Sequence, residues 1–256
     1  MDIKKRVPRK MEIKNCRIIS NKMIRDSYFI LTFENNFSEN CKPGQFLMIK
    51  IPFLFLRRPF SVLKINKNTI SILYNVVGKG TEILSKNKKG DALNILGPCG
   101  NSFNIKKENK KIWLIGGGTG IAPLLFLSKK IKKEKITFFY GAKNKNLLLF
   151  DILPSGTKFI FSTDDGSYGY KGTIFSCVKN LIKKEKPDII YCSGPENLLK
   201  KISNLSKKEK IPCFLSIENF MGCGMGICYG CVIKVKSENG WEYKRVCKDG
   251  PIFKGE

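Results

Sequence analysis

The chain has 256 residues, enough for one large domain or two to three small ones, and 42% of it is hydrophobic, enough to bury a core. It carries 47 Lys and Arg against 21 Asp and Glu, a formal charge of +26, and no histidine. The missing imidazole excludes Ser-His and Cys-His nucleophile pairs, Cys2His2 zinc, Rieske ligation and His-bound haem, so any metal must be held mainly by thiolates or carboxylates.

Met1 to Lys14 is basic but lacks the apolar segment of a secretion signal, and apolar stretches such as Phe53–Leu56 are too short to span a bilayer. The expectation is a soluble, cytoplasmic protein with no disulfide framework among its ten cysteines. Five β-like runs then follow, at Tyr28–Phe33, Phe46–Ile51, Phe60–Ile65, Ile70–Val76 and Ala92–Leu96. Pro43-Gly44, Gly78, Gly80, Gly90 and Gly97-Pro98 punctuate them, and evenly spaced strands with such turns predict a small antiparallel barrel over residues 1–107. Arg58-Pro59-Phe60-Ser61 opens one strand, where a guanidinium suits a phosphate; a plain edge-strand arginine is the alternative.

From Lys111 the pattern changes to alternating strands and helices. Strands are predicted at Ile112–Ile115, Ile136–Tyr140, Lys158–Ser162, Ile189–Cys192 and Cys213–Ile217, with helices near Ala122–Ile131, Thr173–Lys183 and Glu196–Leu205. This rhythm predicts a doubly wound α/β domain over 108–217. Its first strand runs into Gly116-Gly117-Gly118-Thr119-Gly120-Ile121-Ala122-Pro123, a loop whose glycines let backbone approach a pyrophosphate at a helix N-terminus. Ser162-Thr163-Asp164-Asp165-Gly166-Ser167 follows a later strand, and carboxylates there suit a ribose diol better than a 2′-phosphate, favouring NAD over NADP; a solvated turn is the alternative. Tyr191-Cys192-Ser193-Gly194-Pro195-Glu196 closes another strand.

After Glu218 glycine and cysteine dominate, apart from a predicted hairpin at Val232–Val235 and Trp241–Val246. Cys223, Cys228, Cys231 and Cys247 are spaced C-x4-C-x2-C-x15-C, the first three as in plant-type [2Fe-2S] proteins. Gly222, Gly224, Gly226 and Gly230 let that loop fold tightly and bring N–H groups to the sulfurs. A four-cysteine zinc site is the alternative, although those use paired C-x2-C knuckles. The other six cysteines have no ligand spacing and read as small core residues.

In this order the motifs resemble those of ferredoxin–NADP reductase-like flavoproteins. Within that superfamily the chain is similar to the electron transfer subunits of class 1B dihydroorotate dehydrogenases. The most specific parts are Met221 to Cys231, Val246 to Phe253 and Leu96-Gly-Pro-Cys-Gly-Asn-Ser-Phe103. The resemblance implies FAD on the barrel, a [2Fe-2S] cluster in a subdomain over 218–256, and NAD as substrate. It implies that Arg58 pairs with the FAD diphosphate and Ser61 approaches the flavin, with Pro59 and Phe60 between them. Leu73, Tyr74 and Asn75 would flank the ring, Tyr74 against it, and Gly80 and Thr81 would make a second pyrophosphate contact. Gly118, Thr119, Gly120 and Asp165 would hold the dinucleotide, with Gly194 and Pro195 near the nicotinamide; Ser193 separates Cys192 from that pair, leaving the role of Cys192 open. No residue is expected to act as a catalytic acid or base.

NAD exchanges a hydride and a cluster single electrons, so the flavin must stand between them. The implied partner is an FMN-containing dihydroorotate dehydrogenase catalytic subunit, two of each chain forming a heterotetramer in UMP biosynthesis. Electrons would run from partner FMN through the cluster and FAD to NAD⁺, and the chain alone would act as an NADH diaphorase. The small subunit of a ferredoxin–NADP⁺ transhydrogenase or a sulfide dehydrogenase would carry the same cofactors. A zinc-stabilised nucleic-acid binder would need its charge gathered, yet 40 of the 47 basic residues are lysines spread along the chain.

Overall fold

The computed structural model describes residues 11–105, 111–237 and 240–255. Its first strand, β1 (Glu12–Arg25), buries only Cys16 and Ile18 fully. That weak alternation is why periodicity alone does not disclose it. There follow β2 (Tyr28–Glu34), β3 (Phe46–Ile49), β4 (Arg58–Ile65), β5 (Thr69–Asn75), a short helix α1 (Lys79–Ser85) and β6 (Ala92–Cys99). They close an antiparallel barrel in the order β1-β2-β5-β4-β3-β6. Closure depends on β1. Glu12–Arg17 pair with β6, whereas Ile18 to Arg25 pair with β2, with register shifts at Ile18/Ser20 and Met23/Arg25. Such bulges bend a strand and increase its twist, so one long strand serves two neighbours. The interior is filled by Leu31, Phe33, Leu47, Ile49, Val62, Ile70, Ile72 and Ile95, each burial stabilising by about 1.5–3 kcal/mol.

The second half comprises β7 (Ile112–Gly117), α2 (Ile121–Ser128), β8 (Ile136–Ala142), β9 (Lys158–Thr163), β10 (Tyr170–Lys171), α3 (Ile174–Leu181), β11 (Ile189–Ser193), α4 (Glu196–Glu209) and β12 (Cys213–Ser216). The helix expected over Ala122–Ile131 stops at Ser128. All eight of its residues are buried between the sheet and β4 of the barrel, and the charges of Lys129 and Lys130 do not fit that slot. α3 and α4 cover the opposite face, where Val178, Ile182, Leu199 and Ile202 meet Trp113, Phe139 and Ile190. Thr173 caps α3, its hydroxyl accepting from Ser176 N at 3.2 Å.

Beyond β12 an irregular segment leads to the hairpin β13 (Val232–Ser237) and β14 (Gly240–Arg245), then to β15 (Ile252–Lys254). The large sheet runs β10-β9-β8-β7-β11-β12-β15, parallel except for β15. Its topological switch point lies between β7 and β11, since β8 continues on one side of β7 and β11 returns on the other.

Asn101 clasps the tail to the barrel. Its amide donates to the carbonyls of Asp249 and Ile252, both at 2.9 Å, and its Oδ1 accepts from Ile252 N at 2.9 Å. Beside it the outer face of β3 and β6, with Phe46, Met48, Leu96 and Cys99, packs on Met221, Cys231, Val246 and Cys247. The cysteine segment is thereby mounted on the barrel wall.

Candidate functional site

The four spaced cysteines come together outside regular structure, Cys223, Cys228 and Cys231 in one loop and Cys247 just beyond the hairpin β13–β14. Gly224 and Gly226 take left-handed conformations there, with φ of +70° and +80°. These turns aim backbone N–H groups inward. Cys223 Sγ accepts from Met225 N at 3.4 Å, Ile227 N at 3.3 Å and Cys228 N at 3.5 Å. Cys228 Sγ accepts from Gly230 N, and Cys231 Sγ from Cys247 N, each at 3.4 Å.

Donors to sulfur favour the thiolate, the form that binds iron. Burial alone would raise the Cys223 pKa, but the N–H groups of Cys228, Met225 and Ile227 outweigh it and hold the thiol down to about 6. Cys247 shifts the other way, raised by burial and by Cys231, whose sulfur lies 3.3 Å away.

The thiols fall into two pairs, Cys223 with Cys228 and Cys231 with Cys247. Among the described residues no three His, Cys, Asp or Glu side chains converge on one ion position. Two pairs of soft donors, with five N–H groups aimed at sulfur, fit a two-iron cluster in which each iron takes two thiolates.

Cys231 and Cys247 are buried, whereas Cys228 is exposed. Its chain neighbours Ile227 and Tyr229 are 71% and 62% exposed, and Phe220, earlier in the same segment, is 91% exposed. Sequence spacing missed the brace behind this segment. Arg245 Nη1 donates to Gly226 O at 3.0 Å and to Tyr229 Oη at 3.3 Å, while its Nε reaches Asp249 at 3.3 Å.

On the barrel, Arg58 lies beside Gly80. A Cβ on Gly80 would stand 3.4 Å from Arg58 Nε and 3.3 Å from Leu54, so these two candidate phosphate contacts share one spot. Thr81 supports it indirectly. Its Oγ1 accepts from Val77 N at 2.9 Å and Gly78 N at 3.3 Å and donates to Gly78 O, which occupies the hydroxyl in capping α1. Phe60 and Tyr74 point into the barrel, where the Tyr74 ring stacks on Phe29 and its hydroxyl donates to Asn21 at 3.0 Å. Contacts from those two positions to anything outside the barrel therefore come from backbone. Strand alternation puts Pro59 and Ser61, and likewise Leu73 and Asn75, on the outer face. There Leu73 joins the core shared with α2, and Asn75 Oδ1 accepts from Ser27 Oγ at 2.5 Å.

The glycine loop and the later Gly-Pro meet across the switch point. A Cβ on Gly120 would fall 2.6 Å from Gly194 Cα, and one on Gly117 would fall 3.1 Å from Pro195 Cδ. Gly118 has φ +55°, and Gly118–Gly120 form the turn that opens α2. Cys192 faces the other way, into the core with Leu198, Leu199 and Ile202, and burial pushes its thiol well up. The residue at the crevice is Ser193. The residue is 1% exposed, and its buried hydroxyl has no hydrogen-bond partner among the described residues; Ser162, at the end of β9, is in the same state. Both hydroxyls lie at the carboxyl edge of the parallel sheet, the side on which open α/β sheets bind ligands. Asp165 sits on the far side, beyond β9, with Oδ1 accepting from Ser167 Oγ at 2.7 Å and Ser167 N at 2.9 Å.

Residues 218–256 match the family model described as the iron-sulfur cluster binding domain of dihydroorotate dehydrogenase B. The dihydroorotate dehydrogenase B (NAD(+)) electron transfer subunit of Caldanaerobacter subterraneus subsp. tengcongensis is 42% identical over 241 residues, 94% of this chain and 96% of the relative. The subunit of the same name from Clostridium acetobutylicum is 35% identical, covering 93% of this chain and 94% of its own. Among solved structures, a chain of an NADH-dependent reduced ferredoxin-NADP oxidoreductase superposes with a TM-score of 0.84 at 28% identity, over 94% of this chain and 88% of that one. A ferredoxin NADP+ reductase from Neisseria gonorrhoeae, with bound FAD and NADP, superposes with a TM-score of 0.63 at 17% identity over 77% and 91% of the two chains and shares the fold alone.

Proposed function

Since the chain belongs to the family of dihydroorotate dehydrogenase B electron transfer subunits, we propose that it passes electrons from a catalytic partner subunit to NAD⁺. Bound FAD would supply electron exchange singly or in pairs, and a bound [2Fe-2S] cluster single-electron exchange. The observation that carries this reading is the paired thiol loop with its five inward N–H groups.

Cys223, Cys228, Cys231 and Cys247 hold the metal centre. Arg58, with the backbone at Gly80, neutralises the flavin diphosphate, while Thr81 keeps that turn in shape. Pro59, Ser61, Leu73 and Asn75 present the outer wall of β4 and β5 to the flavin, and Phe60 and Tyr74 stiffen that wall from within. Gly118, Thr119 and Gly120 offer backbone N–H groups to the dinucleotide pyrophosphate. Gly194 and Pro195 close the crevice from β11, and the orphan Ser193 hydroxyl bonds the nicotinamide end. Asp165 takes the ribose diol, which selects NAD. Hydride exchange needs position and exclusion of water rather than a protein acid, which agrees with a chain that has no histidine.

The exposed Cys228 edge, flanked by the exposed Ile227 and Tyr229, is where the partner docks. That partner is the FMN-containing catalytic subunit, in a cytoplasmic assembly of two of each chain. No helix among the described residues is long and apolar enough to cross a membrane. The ferredoxin-coupled reading shares the fold but matches at lower identity than the dihydroorotate dehydrogenase B subunits.

The test is an anaerobic visible spectrum, first of the chain alone with NADH, then with a dihydroorotate dehydrogenase catalytic subunit and dihydroorotate. Flavin bands with a broad iron–sulfur shoulder, bleached by either reductant, are expected. A colourless, zinc-containing protein overturns the reading. A coloured protein reduced by NADH but never by dihydroorotate through the partner transfers it to the ferredoxin-coupled relatives.

A further inference from the structure

Arg57 holds its guanidinium against β3 and β6, the two strands on which the cysteine segment packs. Its Nη1 donates to Asn94 O at 2.9 Å and to Met48 O at 3.3 Å, and its Nη2 donates to Asn94 Oδ1 at 2.5 Å. All three acceptors are neutral, and no carboxylate among the described residues pairs with it. Burial works against this charge, and a half-buried cation held by neutral oxygens alone costs stability. Surface lysines are abundant here, so net charge gives no reason to place a guanidinium at this point.

Its surroundings supply one. Met48, whose carbonyl Arg57 binds, turns its side chain toward the cysteine loop: a Cβ on Gly224 would stand 2.6 Å from Met48 Cγ and 3.2 Å from its Sδ. Met48 also shares one buried cluster with Leu96, Cys99, Cys231 and Cys247. Met48 thus links the two: its carbonyl holds the guanidinium and its side chain lies against Gly224 of the thiol loop. Iron held by four thiolates and two sulfides carries net negative charge, and reduction adds one more. A fixed cation across an apolar layer favours the more negative state.

We infer that Arg57 tunes the cluster, raising its reduction potential as a half-buried counter-charge to the thiol loop, and does not serve as a second ligand to the flavin diphosphate beside Arg58. The inference rests on the reading of that loop as a [2Fe-2S] site. Arg57 is a positioning residue in the electrostatic sense: it touches no reacting atom.

The experiment is a potentiometric titration of the intact holoprotein, with the cluster followed by electron paramagnetic resonance and the flavin by absorbance. Arg57→Gln and Arg57→Lys are compared, because both lose the guanidinium fork and only one loses the charge. In Arg57→Gln the cluster midpoint is expected to fall, so that at a fixed poise the ratio of reduced to oxidised cluster drops on the order of tenfold, the effect of one unit charge across a partly buried path. Arg57→Lys is expected to recover most of that loss, and the flavin midpoint and FAD content are expected to stay at wild-type values. A cluster midpoint unchanged in Arg57→Gln overturns the inference. So does a loss of FAD or a moved flavin midpoint with the cluster unaffected, which would assign Arg57 to the diphosphate. A wild-type protein with no cluster signal would instead defeat the reading of the loop itself.

Discussion

The thiol loop and the crevice over the parallel sheet are the two seats proposed for electron carriers, and they are made of opposite materials. The loop is short in sequence, Cys223 to Cys247, and its donors are side chains. Apart from the hairpin β13–β14 it has no regular structure of its own, and it borrows rigidity from the barrel through Met48 and Asn101. The crevice is drawn from the ends of β7, β9 and β11, far apart in the chain, and what matters there is mostly the absence of side chains. Gly117 and Gly120 let backbone meet backbone across the switch point. A loop built of donors fails when a donor is removed; a crevice built of backbone fails when an atom is added.

The largest effect belongs to the loop. Cys228→Ala should abolish the broad iron–sulfur absorbance and stop dihydroorotate-driven NAD⁺ reduction in the complex, while NADH–dye turnover by the chain alone is retained. Each site then fails separately, as the comparison requires. Full dihydroorotate–NAD⁺ activity in the Cys228→Ala complex would show that electrons do not pass this loop. Next is Gly120→Ala in the crevice. Its Cβ would stand 2.6 Å from both Gly194 Cα and Gly194 N, backbone that cannot step aside. Overpacking of this kind costs about 1–3 kcal/mol, which calorimetry should read as a Tm lowered by several degrees, together with a raised KM for NADH. The cluster spectrum should be untouched.

The two regions also differ in how much of them is legible from sequence. The cysteine loop is almost wholly so, because ligand chemistry is local and spacing records it. Its brace is not: Arg245 and Asp249 act through Gly226 and Tyr229, and an Arg four residues from an Asp is indistinguishable from a surface pair until the fold is known. The alternation of the barrel strands and of the βα units is clear wherever a strand buries one whole face or both. β1 escapes because it is divided between two partners and buries little. α1 escapes because Lys79–Ser85 is too short for a period to emerge. At the crevice the glycine loop is readable, but Ser193 is not. Only the strand phase shows that Cys192 belongs to the core and its neighbour to the cavity.

Ser193→Ala sharpens that distinction with a smaller effect. Removing a buried hydroxyl that has no partner should leave the ligand-free protein unharmed or stabilise it by about 1 kcal/mol. If the hydroxyl serves the nicotinamide, KM for NADH should rise at the same time. Stability and binding then move in opposite directions, which a hydroxyl of purely structural value would not produce. The measurement is a Tm beside a steady-state KM. A raised Tm with an unchanged KM would leave Ser193 out of the site.

Asp165 is the weakest of the proposed contacts and the one that would use charge. Its carboxylate is held below the usual range by the Ser167 hydroxyl first and the Ser167 N–H second. A depressed pKa means that the charged form is favoured above the ordinary carboxylate value and lost only as pH falls through the lowered one. Any contribution to a ribose diol should therefore be flat from about pH 6 to 8, where carboxylates stay ionised. Asp165→Asn keeps a side-chain oxygen for Ser167 while removing the charge, so the turn should survive. The expected result is a modest, pH-independent fall in kcat/KM for NADH with little change for NADPH, whose 2′-phosphate no longer meets a carboxylate. An unchanged ratio of the two would make the Asp164-Asp165-Gly166 turn a solvated one and move the ribose to the orphan hydroxyl of Ser162.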